Sequence, residues 1–337
     1  MPTRTTALDS PEAEVSTIRR ELYHAVPGAL ARTLLVTYAM LAAAFALALG
    51  TGSALGYAVG FALVVAVQTR LAMFMHEGAH WLVDADKTVN DRLANWLAAF
   101  PIGMTVERYR ASHLQHHARL GTADDPDFTA LCLPPVEQGV GASVLACLTG
   151  WRHVKLVQKY LGERDAEAGP SRAPSSASSV IGRIGSQGLL FGIGVLAGQW
   201  WAYFVLWLLP LATFGVLINE VRSVVEYTPL LPRGADGASM PLTPITRTVR
   251  AGWFARNWFA PLHFHYHHEH HLHPGVPFSR LPELHQHLVA TGYYATRPEL
   301  LCDGYGPILG ALWTRYRPGP SRLQLARDGA TYVARGG

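Results

Sequence analysis

The chain has 337 residues and a formal net charge of +4, with 49% hydrophobic residues and only 15% charged residues. Soluble domains carry about 25% charged residues, so this composition excludes an ordinary soluble protein and predicts long apolar segments. We expect no nucleic-acid partner, because the sequence contains no basic stripe interleaved with aromatic residues.

Two long segments contain no charged residue, one at 33–69 and one at 184–219. Each is about twice the roughly 20 residues that a helix needs to cross a membrane, so each predicts two transmembrane helices joined by a turn. Turn-forming residues at 50–53 divide the first segment, and the interfacial pair Trp200 and Trp201 divides the second. We therefore expect an all-α integral membrane protein with four transmembrane helices in two hairpins.

The distribution of arginine and lysine predicts which side of the membrane each segment occupies. The hairpin turns carry none of these residues, whereas the flanking segments are rich in them, so the positive-inside rule places both termini in the cytoplasm. The predicted segments are a cytoplasmic arm at 1–32, a transmembrane hairpin at 33–75, a cytoplasmic segment at 76–181, a second hairpin at 182–219 and a cytoplasmic segment at 220–337.

Eight of the 16 histidines fall into three spaced groups outside the uncharged segments. The groups are His76 with His80, then His113 with His116 and His117, then His267 with His270 and His271. Helix positions i, i+3 and i+4 lie on one face, so each group can present rings to a metal ion. Neutral imidazole suits iron, copper and zinc. We predict that the three groups bind metal on the cytoplasmic side of the membrane.

In order and spacing, these groups resemble the histidine boxes of the membrane fatty acid desaturase/hydroxylase superfamily, H-x(3,4)-H, H-x(2,3)-H-H and H/Q-x(2,3)-H-H. The resemblance extends from His76 to Leu288 and includes G-T-A-D-D-P-D at 121–127 and Y-H-H-E-H-H-L-H-P-G-V-P at 266–277. It implies a four-helix transmembrane stem under a cytoplasmic helical cap that holds two iron ions. The implied ligands are His76, His80, His113, His116, His117, His267, His270 and His271.

One position departs from the family pattern. Relatives usually supply a further ligand, often histidine, just after the fourth transmembrane helix, and here Tyr227 stands at that position. Asn219 through a water molecule, Glu220, Glu226 or an additional C-terminal histidine are the alternatives for this last coordination position.

The resemblance implies that two ferrous ions and O2 attack an unactivated C–H bond of a membrane lipid or acyl substrate. Carboxylates would orient the imidazole rings. The candidates are Asp124, Asp125, Asp127, Glu220, Glu226 and Glu269. The three cysteines lack the spacing of an iron–sulfur site, so a separate ferredoxin or cytochrome with its reductase is the expected electron donor.

Other functions remain open at this point. Desaturation of a fatty-acyl chain is the preferred activity, with hydroxylation, or oxidation of a small natural product, as alternatives. His76 to His80 also reads as H-E-x-x-H, the zinc-protease motif. That interpretation leaves six boxed histidines unexplained. A metal carrier would need ligands within the spans, and the uncharged segments contain no histidine.

Overall fold

A computed structural model describes residues 18, 20–120, 125–127, 139–166, 176–227, 246–315, 323–325 and 332–334. Within these ranges the chain is mostly helical, and four helices are long and apolar enough to cross a membrane. They are Ala29–Thr51 (α1), Ala54–Ala79 (α2), Ala177–Leu196 (α7) and Phe204–Tyr227. The last contains π-helical segments at Phe204–Leu208 and Leu211–Gly215 and ends in the regular helix Val216–Tyr227 (α8).

The remaining described elements are shorter. The helices are Lys87–Ala94 (α3), Val106–Arg119 (α4), Val140–Leu148 (α5), Trp151–Ala166 (α6), Trp253–Trp258 (α9), His267–Leu272 (α10), Leu281–Ala290 (α11) and Gly306–Arg315 (α12). Strands Thr248–Val249 (β1) and Leu301–Cys302 (β2) pair in parallel, and Leu323–Leu325 (β3) pairs antiparallel with Tyr332–Ala334 (β4). These short strands are the departure from the expected all-α class.

The turn between α1 and α2 follows from two residues. Gly52 ends α1 in the left-handed conformation at φ 59°, which glycine adopts without steric cost. The Ser53 side chain then accepts a hydrogen bond from the Gly56 amide at 3.0 Å and caps α2. The two helices approach closely, because a Cβ on Gly60 would lie 2.8 Å from the Ala44 carbonyl oxygen.

The connection between α7 and the fourth span lies against the turn between α1 and α2. The Gln199 side chain donates to the Leu49 carbonyl at 2.9 Å and accepts from the Tyr57 hydroxyl at 2.8 Å. The structure therefore has the predicted break between the third and fourth spans near Trp200 and Trp201. Helix α7 begins at Ala177, and residues 167–175 before it lie outside the described ranges.

Helix α2 is the most enclosed of the four spans. Within its most apolar stretch 61% of the residues are buried, against 22% for α1 and 17% for α7. Leu71 and Phe74 pack there with Trp207 of the fourth span. The exposed apolar surfaces of α1 and α7 are suited to contact lipid. The buried helix, α2, leads directly to the first histidine box.

Two helices extend further than expected. α2 continues to Ala79, so His76 lies inside the helix rather than after it, and the fourth span continues to Tyr227 instead of ending at Asn219. A helix that continues keeps its backbone N–H and C=O groups hydrogen-bonded within the segment, and unpaired groups of this kind are most costly close to the membrane. The C-terminal segment reaches α2 through Glu77, whose carboxylate accepts a hydrogen bond from the Phe278 amide at 3.0 Å.

Candidate metal centre

The first histidine pair lies on the last turn of α2. His76 and His80 are four residues apart and their ring centroids are 4.8 Å apart. The Arg110 guanidinium and the Asn90 amide donate to the Gly78 carbonyl at 2.8 and 2.9 Å. The last carbonyls of a helix have no partner within it, so these bonds hold the turn that carries both rings.

Gly78 also lets α3 pack directly against this turn, since a Cβ there would lie only 2.4 Å from the Ala94 side chain. Just after α3, the Asn95 side chain accepts from the Val106 amide at 2.9 Å. This bond satisfies an amide at the start of α4. Through α3 and Asn95, the end of α2 that carries the first box is thus linked to the start of α4, which carries the second box.

The second and third boxes each divide their rings between two groups. On α4, His113 and His117 face the first box, whereas His116 points the other way. On α10, His270 lies against the first box and His117, whereas His267 and His271 lie beside Tyr227. The 3.6-residue period of the helix turns neighbouring positions to different sides.

The first group, here called the five-histidine cluster, consists of His76, His80, His113, His117 and His270. One ring nitrogen from each residue lies within 4.8 Å of all the others. The Nε2–Nε2 distance is 2.9 Å for His80 and His113, 3.1 Å for His113 and His117, and 3.1 Å for His117 and His270. Both ring nitrogens of His76 are buried without a hydrogen-bond partner.

Burial keeps these rings uncharged. It is the main cause that lowers the pKa of His80 to about 4 and the pKa of His117 to about 3. Burial, and then the neighbouring imidazoles, also lower the pKa of His113 and His270 well below the usual value. Since neutral imidazole is the form that binds metal ions, the cluster is in its ligating state at neutral pH.

The second group, here called the Tyr227 cluster, consists of Tyr227, His116, His267 and His271. The Tyr227 hydroxyl oxygen lies 2.9 Å from His116 Nε2 and 3.1 Å from His271 Nε2, and it contacts His267 Nε2. The two clusters adjoin, because the His117 and His271 rings stack with centroids 4.3 Å apart. All eight predicted histidines are thus brought together, and Tyr227, which was not among the predicted ligands, lies with them.

Asp125 is a carboxylate that forms a hydrogen bond with a boxed ring. The Nδ1–H of His116 donates to Asp125 at 2.8 Å, and both residues are fully buried. Burial alone would lower the pKa of His116, but this hydrogen bond and the charges of Asp127 and Asp125 outweigh burial and raise it. Asp125 fixes the ring so that its Nε2 faces Tyr227.

The three glutamates proposed to orient imidazoles have other partners. Glu226 pairs with Arg222 at 3.0 Å and lies 3.6 Å from His267 Nδ1, which is too long for a hydrogen bond. Glu220 pairs with Arg152 at 2.8 Å. Glu269 accepts from the Tyr294 hydroxyl at 2.5 Å and also contacts His285, which is outside the boxes. Hydrogen bonds from such neighbours outweigh burial and lower the pKa of Glu269.

The remaining candidates are Asp124, Asp127 and Asn219. Asp124 lies outside the described residues, and the Asp127 amide donates to the Asp125 carboxylate at 3.0 Å. Asn219 precedes Tyr227 by two turns of α8, which is about 12 Å along the axis, and it lines a cavity. Its role as a ligand stays a prediction.

This cavity, of about 270 Å³, begins at the clusters and extends between α2 and the fourth span. Four cluster residues line one end, namely His76, His113, His267 and Tyr227. The walls are mainly apolar and include Met73, Met75, Leu211 and Phe264. Its volume is just below the roughly 300–1,000 Å³ of pockets for drug-sized ligands, so it suits a small molecule or one segment of a longer chain.

The geometry disfavours the zinc-protease interpretation of His76 to His80. A protease glutamate of this motif must activate a metal-bound water. Glu77 is instead buried and occupied by the Phe278 amide. The five-histidine cluster also brings more rings together than a single catalytic zinc uses.

Comparison with known proteins gives independent information. The family model described as fatty acid desaturase matches residues 52–299. The chain is 26% identical to dihydrorhizobitoxine desaturase of Bradyrhizobium elkanii, covering 66% of this chain and 64% of the relative. It is 27% identical to beta-carotene ketolase of Paracoccus sp. (strain PC1), covering 57% of this chain and 62% of the relative. The matched region thus spans less than two thirds of either relative.

Proposed function

This chain belongs to the fatty acid desaturase family, and we propose that it is an O2-dependent, di-iron membrane oxidoreductase that introduces a double bond into a fatty-acyl chain. One observation carries the proposal. Eight imidazoles from three separate stretches of chain converge in two adjacent clusters beside an apolar cavity.

The donor atoms fit metal ions. Two imidazole nitrogens bound to one metal at right angles, each at about 2.1 Å, lie about 3.0 Å apart. The ring-nitrogen distances of 2.9–3.1 Å in the five-histidine cluster agree with that value. The buried ring nitrogens of His76 have no hydrogen-bond partner, and each such group costs about 1–3 kcal/mol unless something binds it.

The five-histidine cluster would hold one iron, and His116, His267 and His271 would hold the other. Bound irons supply, with O2, the oxidising power to remove hydrogen from an unactivated C–H bond, which acid–base side chains lack. Asp125 keeps His116 in its ligating orientation. Met73, Met75 and Phe264 exclude water and hold an alkyl segment beside the clusters.

Two antiparallel hairpins under a cap are the proposed arrangement in the membrane. The two-residue connection between α1 and α2 and the short segment between α7 and the fourth span support the hairpins. The remaining helices would form the cap at the end where α2 carries the histidines. The arginine-rich flanks support a cytoplasmic location for both termini and for the metal centre.

The electrons would come from a separate ferredoxin or cytochrome with its reductase. Three scattered cysteines cannot ligate an iron–sulfur cluster that needs four thiolates, which supports an external donor. A membrane lipid or acyl molecule would enter the cavity from the bilayer.

A second candidate substrate is a small molecule with a polar group. Gln68 is buried in the cavity wall, and its Nε2 donates to the Trp207 carbonyl at 2.7 Å, but its Oε1 has no hydrogen-bond partner. A substrate N–H or O–H would satisfy this acceptor, whereas a hydrocarbon segment would not. The name of one relative specifies dihydrorhizobitoxine rather than a fatty acid.

The test compares lipids and small metabolites in cells that make this chain, cells that make the His270→Ala variant and cells that make neither, all under air. We expect a product with two fewer hydrogens that requires His270. A product with one added oxygen would assign hydroxylation instead. Profiles that do not depend on His270 would contradict the proposal. Gln68→Leu separates the substrates, since it lowers conversion of a polar substrate and spares an acyl chain.

A further inference from the structure

We propose that Tyr227 is an iron ligand, binding through its phenolate oxygen at the position completed by His116, His267 and His271. The inference rests on the proposed function, because it needs iron at these clusters. Tyrosine is an established iron ligand in haem proteins, so the donor atom is chemically suitable.

Two of the distances around the Tyr227 oxygen are those expected of ligands on a common metal. The phenol oxygen lies 2.9 Å from His116 Nε2 and 3.1 Å from His271 Nε2, and it contacts His267 Nε2. Neighbouring ligands at about 2.1 Å from one metal are about 3.0 Å apart. The same spacing recurs between ring nitrogens of the five-histidine cluster. The oxygen of Tyr227 therefore stands where a fourth imidazole nitrogen would stand.

Hydrogen bonding is the alternative explanation of this grouping, and it requires one particular set of protons. The phenol would donate to one imidazole Nε2 and accept from Nε2–H groups of the other two, which uses its full capacity. The Nδ1 of His116 faces the Asp125 carboxylate at 2.8 Å and must carry hydrogen there. In the neutral ring the Nε2 lone pair then points at Tyr227. A metal ion between these donors satisfies all four atoms at once.

The charge balance also favours a phenolate. Eight neutral imidazoles add no negative charge to a buried pair of cations, Asp125 beside His116 adds one, and Glu226 is already neutralised by Arg222. When Tyr227 binds, its O–H bond is replaced by an O–metal bond and the proton is released, as for other ligands that bind deprotonated. The negative oxygen stabilises the ferric state, so the two irons would differ in reduction potential.

The experiment uses the full-length protein in detergent, loaded anaerobically with ferrous iron and then oxidised with ferricyanide. Iron content and the visible spectrum are measured for the wild type, Tyr227→Phe and Tyr227→His. A ferric phenolate absorbs strongly in the visible region by charge transfer, whereas ferric imidazole does not. We expect the band in the wild type only. Iron content should fall from two towards one per chain in Tyr227→Phe and stay at two in Tyr227→His.

Tyr109→Phe is the matched control, because the Tyr109 ring stacks on His113 with centroids 5.1 Å apart yet lies at the other cluster. It should keep the band. Two bound irons without a band in the wild type, or a band that survives in Tyr227→Phe and Tyr227→His, would overturn the ligand assignment alone. A wild-type chain that binds no iron would overturn the proposed function as well.

Discussion

The five-histidine cluster and the Tyr227 cluster draw on the same second and third boxes but are supported differently. Hydrogen bonds to the end of α2 and the close packing of α3 hold the first. The second depends on side chains, since Asp125 orients His116 and Tyr227 fills the centre. The first cluster is thus supported through the backbone at the end of α2, and the second through a small set of contacts between side chains. Single substitutions should therefore affect one cluster more than the other.

Removing one ring from either cluster should have the largest effect. We expect His270→Ala and His116→Ala each to lower turnover by more than about 100-fold, because both irons are needed and one ligand is lost in each case. Product formation and membrane insertion are measured together. His24→Ala is the control, as this side chain is exposed. Near-normal turnover in either ligand variant would refute the assignment of that ring.

Asp125→Asn should affect the Tyr227 cluster selectively. Loss of a hydrogen bond that orients a ligand typically costs about 10–100-fold in metal affinity or activity. Iron titration should show one weakened site and one unchanged site. Glu220→Gln is the matched buried control, since Glu220 pairs with Arg152 rather than with a ring. Equal weakening of both sites would show that Asp125 does not distinguish them.

Gly78→Ala should disturb the five-histidine cluster instead. The added methyl group would lie 2.4 Å from the Ala94 side chain, and overpacking of this kind costs about 1–3 kcal/mol. Thermal unfolding in detergent measures the loss. Gly188 has open space around its Cβ position, so Gly188→Ala should leave stability unchanged or raise it by up to about 1 kcal/mol, since alanine is favoured over glycine within a helix. An unchanged unfolding temperature for Gly78→Ala would show that α3 can move away without cost.

Tyr227→His should have the smallest effect on turnover. The imidazole supplies a ligand at the same position, so we expect activity within about tenfold of the wild type, equivalent to about 1.4 kcal/mol in the barrier. Product formation is measured beside the wild type at equal iron content. Complete loss of turnover would mean that the phenol has a function that imidazole cannot replace.

Much of this site was predictable because local rules govern it. The absence of charge at 33–69 and 184–219 predicted the spans, and the i, i+4 spacing indicated that His76 and His80 share a face, but it left open whether His113 pairs with His116 or with His117. Helix α2 and the fourth helix extend past the predicted transmembrane segments, because hydropathy falls at His76 and Glu220 while the helical hydrogen bonds continue. The partners of Glu220, Glu226 and Glu269 could not be predicted, since each partner is selected by tertiary packing. In the sequence, Tyr227 stands out only because relatives usually carry histidine at this position, and that position was the available sign of a role at the site.

The hydrogen bond between Glu77 and the Phe278 amide joins residues 201 positions apart in the chain. A nascent chain that has already exposed the first two boxes has not yet synthesised the partner of this contact. The third box, on a helix of only six residues, docks once that later stretch has emerged. We therefore expect iron binding to be the last step in assembly of the protein, after the translocation machinery has inserted all four spans.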